Sequence, residues 1–202
     1  MTNSERMRSG LPYKSDDPEL SAQRKRAKQL IYKYNNTPPE RFDELPALAA
    51  ELLGKSGKNL HLKPPFYCDY GVNIEIGDNF FSNFNLTILD VGRVKIGSNV
   101  LFGPNVSLYT AGHPVHPLSR ASGYEYGIDI AIGDSVWLGG SVTVLPGVTI
   151  GNGAVIGAGS VVTHDIPDNV IACGNPCRVI REIAEDDRKY YFKDREFDVS
   201  DY

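Results

Sequence analysis

Aliphatic residues stand six apart at Ile132, Leu138, Val144, Ile150, Ile156 and Val162, and glycine follows at 133, 139, 151 and 157. A second small or aliphatic residue comes four positions after each, at Val136, Val142, Val148, Ala154, Ser160 and Ile166. An earlier stretch repeats the pattern at Ile96-Gly97, Phe102-Gly103 and Leu108, with Val100 and Val106 at the fourth offset. Further back, Ile76-Gly77 and Ile88 keep the step, Phe80 and Leu86 hold the offset, and Ser82 takes one leading place. A period of six is neither the 3.6 of an amphipathic helix nor the alternation of a half-buried strand. It predicts short parallel strands joined by tight turns and wound into a solenoid, each leading aliphatic stacking on its counterpart one coil away. Gly77-Asp78-Asn79, Gly97-Ser98-Asn99, Gly133-Asp134-Ser135 and Gly151-Asn152-Gly153 supply turn conformations at the corners. A flat sandwich would show alternation and wider turn spacing instead.

The flanks differ in character. Asp17 can cap a helix, Pro18 suits its first position, and Leu20, Ala27, Leu30, Ile31 and Tyr34 form an apolar stripe. Asn35-Asn36-Thr37-Pro38-Pro39 ends that helix, and a second helical stretch runs from Glu40 to Leu53, bent or restarted at Pro46 and stopped by Gly54. Neither has enough apolar residues to stand alone, so both should pack on the solenoid. The chain divides into an N-terminal helical segment (1–57), a solenoid (58–180) with an excursion at 109–129, and a short, locally basic C-terminal tail (181–202) with helical character.

Charge and cysteine content narrow the function classes. The 202 residues carry 21 Lys and Arg against 25 Asp and Glu, a net charge of −4 that gives nucleic-acid binding little support. No apolar run approaches the roughly 18 residues of a membrane span, and residues 1–10 lack a secretory apolar core. Both features predict a cytoplasmic protein. Cys68, Cys173 and Cys177 are too few for a disulfide scaffold, and Cys173 and Cys177 flank Gly174-Asn175-Pro176, which reads as a turn and not as a metal clip. No glycine-rich phosphate loop appears, so NAD and ATP are not indicated.

The array is interrupted once, between Leu108 and Ile132, and His113, His116, Arg120, Glu125 and Tyr126 lie in the interruption. A loop leaving a rigid coil is a natural place for a functional side chain. On the residues alone, an exposed loop histidine beside a proline is the simpler reading of His113. Glu125 reads equally as an orienting or substrate-contacting carboxylate and as a solvated charge.

The hexads carry a further likeness when joined to their flanks. These include Met7-Arg8-Ser9-Gly10, Ile31-Tyr32-Lys33-Tyr34-Asn35, Asp69-Tyr70-Gly71-Val72-Asn73-Ile74, Asn83-Phe84-Asn85 and Gly112-His113-Pro114. Trp137-Leu138-Gly139-Gly140, Asp165-Ile166-Pro167-Asp168-Asn169-Val170, Gly174-Asn175-Pro176 and Arg178-Val179-Ile180-Arg181 complete the set. Together they resemble the maltose/galactoside O-acetyltransferase group of the hexapeptide-repeat acyltransferases. The resemblance implies a mainly β fold, a left-handed parallel β-helix of three hexads per coil. It implies a homotrimer whose sites lie between subunits, acetyl-CoA as cosubstrate, a sugar acceptor and no metal.

Residue roles follow by the same resemblance. His113 falls at the family's catalytic Gly-His-Pro and would be the general base that takes the hydroxyl proton during direct attack on the thioester. Asn83 matches the Asn that holds substrate near the base. Asp69 stands where galactoside enzymes carry Ser and maltose enzymes Asp, which favours glucosides. Asp16 or Asp17 corresponds to an N-terminal acidic sugar contact. Val91 replaces an Asp of the galactoside enzymes, with Asp90 beside it as a further acceptor contact. Gly140, Ala158 and Thr163 occupy the pantetheine positions with Trp137 flanking the arm, and His164, Arg178 and Arg181 match the cations that meet phosphate. Rival readings are the same transferase chemistry on a non-sugar acceptor, a zinc hydratase on a similar β-helix, and a non-catalytic scaffold. The hydratase needs three histidines around one metal, which the spacing of His61, His113, His116 and His164 supports poorly.

Overall fold

The computed structural model describes residues 1–201 and consists of a parallel-strand solenoid with helices at its start. Three sheets run along the solenoid. The first holds Lys55–Ser56, Ile74–Ile76, Val94–Ile96, Ile130–Ile132 and Thr149–Ile150. The second holds His61–Leu62, Phe81–Ser82, Leu101–Phe102, Trp137–Leu138, Val155–Ile156 and Val170–Cys173. The third holds Phe66–Cys68, Leu86–Leu89, Ser107–Tyr109, Thr143–Val144 and Val161–Val162. Each coil takes one strand from each sheet, so five full coils and part of a sixth stack in parallel.

The six-residue period is the spacing of inward positions on successive sheets. Register pairs Ile76 with Ile96, Ile132 with Ile150, Leu108 with Val144 and Leu138 with Ile156, all buried. Ser82, the one polar leading residue, is fully buried in register with Phe102. Phe80 and Phe102 meet edge to face with centroids 5.1 Å apart, and a small residue at 82 leaves them room. The Ser82 hydroxyl donates to the Asn83 carbonyl at 3.0 Å, which satisfies it.

The corners follow the turn chemistry. Asn59, Asn79 and Asn99 share positive φ at one corner, where the side-chain amide of each donates to the next at 2.8 and 2.9 Å. Asn85 and Asn105 do the same at another corner, at 3.0 Å. The coils are not of one length, contrary to a uniform three-hexad coil. Equivalent positions lie 20 residues apart at Asn79 and Asn99, 18 at Asp134 and Asn152, and 16 at Asn152 and Asp168. The extra residues of the early coils sit between the third sheet and the first, at 69–73 and 89–93.

The helices cover the open end. A helix not evident from the sequence pattern, α1 (Asn3–Arg8), begins at a capping box in which Thr2 and Glu5 exchange bonds. Helix α2 (Pro18–Asn35) starts at Asp17 as expected; a 3₁₀ turn (Pro39–Glu44) then leads into α3 (Leu45–Leu52). Ala27, Leu30, Ile31, Tyr34, Leu45, Ala49 and Leu52 join the solenoid core. Asn35 donates to the Phe66 carbonyl at 2.9 Å and accepts from its N–H at 2.8 Å, so the helix end satisfies backbone that the first coil leaves unpaired. No helix among the described residues is long and apolar enough to cross a membrane.

At the other end, Arg178–Glu182 folds back antiparallel on Val170–Cys173. The tail that follows has a four-residue helix, Asp186–Lys189, and a hairpin of Tyr190–Phe192 with Arg195–Glu196. Its local basicity is offset: residues 181–202 hold 5 Lys and Arg against 8 Asp and Glu. Arg181 forms a two-point ion pair with Asp187 at 2.6 Å.

Candidate active site

The interruption at 109–129 is an ordered arm. Ala111–Gly112 pairs antiparallel with Tyr124–Gly127, and Tyr13–Lys14 adds to the outer edge of that ribbon. Between them lies a short helix, α4 (Pro117–Ala121), with His116 as its N-cap residue. A Cβ at Gly112 would stand 2.6 Å from the Tyr126 ring, so a larger residue there would push that ring aside. His113 follows directly and is exposed, one step beyond the Gly112–Tyr126 pair.

The two widened corners lie beneath this arm. Met7, Tyr13, Leu20, Tyr70 and Val91 form a separate buried apolar cluster that joins the N-terminal segment, both corners and Ala111 of the arm. Around it stand polar groups. The Tyr13 hydroxyl donates to Glu125 Oε1, and Arg24 donates to the Tyr70 hydroxyl at 2.7 Å with its guanidinium beside that ring. Burial and the Glu125 charge push the Asp69 carboxyl up, while Arg24 and Lys28 oppose the rise. Burial and the bond to Glu125 hold the Tyr13 phenol well above its ordinary range.

Two expected acceptor contacts have other duties. Asp90 is fully buried, and its Oδ1 accepts the N–H groups of Asp69 and Tyr70, each at 2.9 Å. A sugar cannot reach it where it stands, which corrects its assignment as a direct contact. Asp17 accepts from the Glu19 N–H at 2.9 Å and the Asn3 amide at 3.1 Å, and the Asn3 bond leads in lowering its carboxyl. Both its oxygens are engaged in capping α2 and tying down α1, whereas Asp16 is exposed.

The remaining positions divide by corner. Asn83 sits where the second sheet turns into the third, and its Oδ1 accepts from the Phe84 N–H at 2.9 Å. Gly103, Gly140 and Ala158 continue that corner upward: Cβ atoms at Gly103 and Gly139 would lie 2.5 and 2.6 Å from the Gly140 and Ala158 nitrogens. Trp137 projects from the second sheet, 54% exposed. Thr163 and His164 lie past the third sheet, Thr163 Oγ1 being 2.8 Å from His164 Nδ1. Arg178 donates to the Cys177 carbonyl at 2.8 Å. One chain therefore brings together Asp69, Glu125 and the base of the His113 arm. It leaves Asn83, Trp137, Gly140 and Ala158 across the third sheet from them. Among the described residues no group of three or more His, Cys, Asp or Glu side chains could hold a metal ion.

Sequence reasoning missed Tyr13, Arg24 and Tyr70 as partners of the candidate carboxylates. Arg24 lies off the apolar stripe of its helix, and Tyr13 and Tyr70 stand in no repeating pattern.

Residues 6–57 match the maltose acetyltransferase hexapeptide capping motif, and residues 129–164 match six repeats of the bacterial transferase hexapeptide. A galactoside O-acetyltransferase of Escherichia coli (strain K12) is 48% identical over 200 residues, 99% of this chain and 98% of that protein. A nodulation protein L of Rhizobium meliloti is 44% identical over 88% of this chain and 97% of its own length. The crystal structure of a galactoside acetyltransferase in complex with coenzyme A superposes with a TM-score of 0.95 at 48% identity, covering 98% of this chain and all of that one. That of a maltose O-acetyltransferase from Clostridium difficile 630 gives 0.90 at 47% identity, covering 92% and 99%.

Proposed function

The chain belongs to the maltose/galactoside O-acetyltransferase family of hexapeptide-repeat acyltransferases, and from that premise we propose that it transfers acetyl from acetyl-CoA to a sugar hydroxyl, with glucosides preferred over galactosides. His113 takes the hydroxyl proton, the oxygen attacks the thioester carbonyl, and a backbone N–H stabilises the oxyanion. The thiolate then leaves and is protonated by His113. No acetyl-enzyme forms and no metal takes part.

The observation that carries this reading is the division of the site residues between two corners. Asp69, Glu125 and the His113 arm stand on one side of the third sheet, and the pantetheine positions Gly140 and Ala158 stand on the other with Asn83 and Trp137. A homotrimer closes the gap by setting the second-sheet side of one protomer against the His113 arm of its neighbour. The outward residues of the sheets support this. The second sheet presents Phe81, Leu101, Trp137, Val155 and Ile171 in register after His61, whereas the first presents Lys55, Glu75 and Lys95 before Ala131 and Thr149. A contiguous apolar stripe on the second sheet and a charged ladder on the first mark the second sheet as the side that meets a partner.

The preference for glucosides rests on Asp69 and Val91. Asp69 offers a carboxylate to a sugar hydroxyl, and Val91 is buried in the apolar cluster, where it supplies no polar contact. Arg178 and Arg181 take the coenzyme's phosphates, and the exposed Asp16 is the freer of the two N-terminal carboxylates to meet acceptor.

The test is thiol release from acetyl-CoA with maltose, glucose, isopropyl-thiogalactoside, serine and chloramphenicol, for the wild type and His113→Ala. Turnover with glucosides that falls about 10²–10⁴-fold in the variant, with acetyl-CoA binding retained, is expected. Turnover with serine or chloramphenicol alone would replace the sugar with another acceptor. A variant as active as the wild type would remove His113 as the base.

A further inference from the structure

Asp90 is the one charged side chain among the described residues that is fully buried. Two consecutive N–H groups, of Asp69 and Tyr70, donate to its Oδ1, and its main-chain oxygen accepts from the Asn73 amide at 2.7 Å. Its Oδ2 is buried with no hydrogen-bond partner. One residue thus fastens the whole corner at 69–73 from the coil above.

That corner needs fastening. It is longer than the equivalent corner at Leu145–Val148, and its extra residues carry no share of the aliphatic stack that fixes the rest of the coil. A buried carboxylate has a high desolvation cost, and a protein built only for stability would place an amide or a hydroxyl there. What the clamp fixes is the peptide that aims the Asp69 side chain and the phenol of Tyr70, on which Arg24 rests.

We propose that Asp90 is a positioning residue for acceptor binding, holding the Asp69–Tyr70 backbone so that the Asp69 carboxylate stands where the sugar meets it. The inference rests on the reading of Asp69 as an acceptor contact. The clamp is strongest when Asp90 is ionised, because charge-assisted hydrogen bonds exceed neutral ones. Burial pushes the Asp90 carboxyl up to about 7, against the lowering effect of the two backbone bonds. The titratable groups facing it are Asp69 and the thiol of Cys68, and beyond them Glu125, Arg24 and Lys28 face Asp69. Acidification through neutrality therefore loosens the clamp.

Steady-state kinetics of Asp90→Ala, Asp90→Asn, Asp69→Asn and the Asp69→Asn/Asp90→Ala double variant test this, varying acceptor and acetyl-CoA separately. Asp90→Ala is expected to raise the acceptor KM about tenfold, the effect of leaving buried N–H groups unpaired, with the acetyl-CoA KM essentially unmoved. Asp90→Asn keeps an acceptor oxygen and recovers most of that loss. In the double variant the Asp90 effect should vanish, because the group it positions is gone. If Asp90→Ala does not fold, the pH profile of Asp90→Asn decides: the wild-type acceptor KM should rise as pH falls through about 7, and the variant should lack that inflection. Equal shifts in both KM values, simple additivity in the double variant, or an inflection shared by wild type and Asp90→Asn would each overturn the proposal. An unchanged acceptor KM in Asp69→Asn would instead remove the reading on which it rests.

Discussion

The Tyr13 hydroxyl donates to the Glu125 carboxylate across 112 residues of sequence, where the two residues are also directly paired between strands. The bond joins the N-terminal segment to the arm that ends in His113. Tyr13 is fully buried, so its hydroxyl has no water to turn to if Glu125 is lost. Tyr13→Phe should lower stability by about 1–2 kcal/mol in a denaturant titration. The same change frees the Glu125 carboxylate beside Asp69, so the acceptor KM should rise while that for acetyl-CoA stays. An unaltered acceptor KM would make the bond purely a fastening of the arm.

The solenoid was legible because the residues that stack inside it recur at fixed spacing, and burial leaves them little chemical freedom. The corners were not, for the converse reason. Residues 69–73 and 89–93 point largely out of the stack, so nothing repeats there to betray two extra residues per coil. The same blind spot hid Asp90. Beside Val91, it read as a further acceptor contact, and only the fold shows it turned inward onto Asp69 and Tyr70. Asp17 was legible as a cap from Pro18 and Glu19, whereas the bond from Asn3 depends on α1. The Thr2-to-Glu5 spacing was the available sign of that helix. Asn83 and His113 were both candidate site residues by resemblance, yet no pattern in one dimension could say that the third sheet would separate them.

The raised Asp90 carboxyl makes stability depend on pH. Its native value near 7 lies above the ordinary 3.8, so the native state holds more protons than the unfolded state between those limits. The contribution to stability is full below the unfolded value and is lost as pH rises through about 7. Asp90→Asn removes this dependence. The stability of the variant relative to wild type should therefore grow by about 2 kcal/mol between roughly pH 5.5 and pH 8. Paired melts at the two pH values measure this difference directly, and a constant offset would mean that Asp90 stays charged throughout.

Asp187 holds two donors of the Arg181 guanidinium and offsets its charge, so it competes with a phosphate for that cation. The pair is exposed, so breaking it should barely move Tm. Asp187→Asn is expected to free the cation and tighten coenzyme A binding about two- to fivefold at low salt, with the gain shrinking as ionic strength rises. Isothermal titration at two salt concentrations would show it. Weaker binding in the variant would mean that Asp187 orients Arg181 toward the coenzyme instead of competing for it.

Leu101 offers the cleanest test of assembly. It is 49% exposed at the middle of the apolar stripe, in register between Phe81 and Trp137, and its outward side chain takes no part in the core. A charge there leaves the folding of one chain intact but puts a desolvation cost on any surface that closes over it. Leu101→Asp should therefore sediment as a monomer with a wild-type circular dichroism spectrum. If catalysis needs the His113 arm of one protomer and the pantetheine positions of another, thiol release must collapse with the trimer. Activity should then return in part when the protein is concentrated enough to drive association. A monomer that turns over at the wild-type rate would place the whole reaction within one chain, and a trimer unaffected by the charge would put the interface elsewhere than the second sheet.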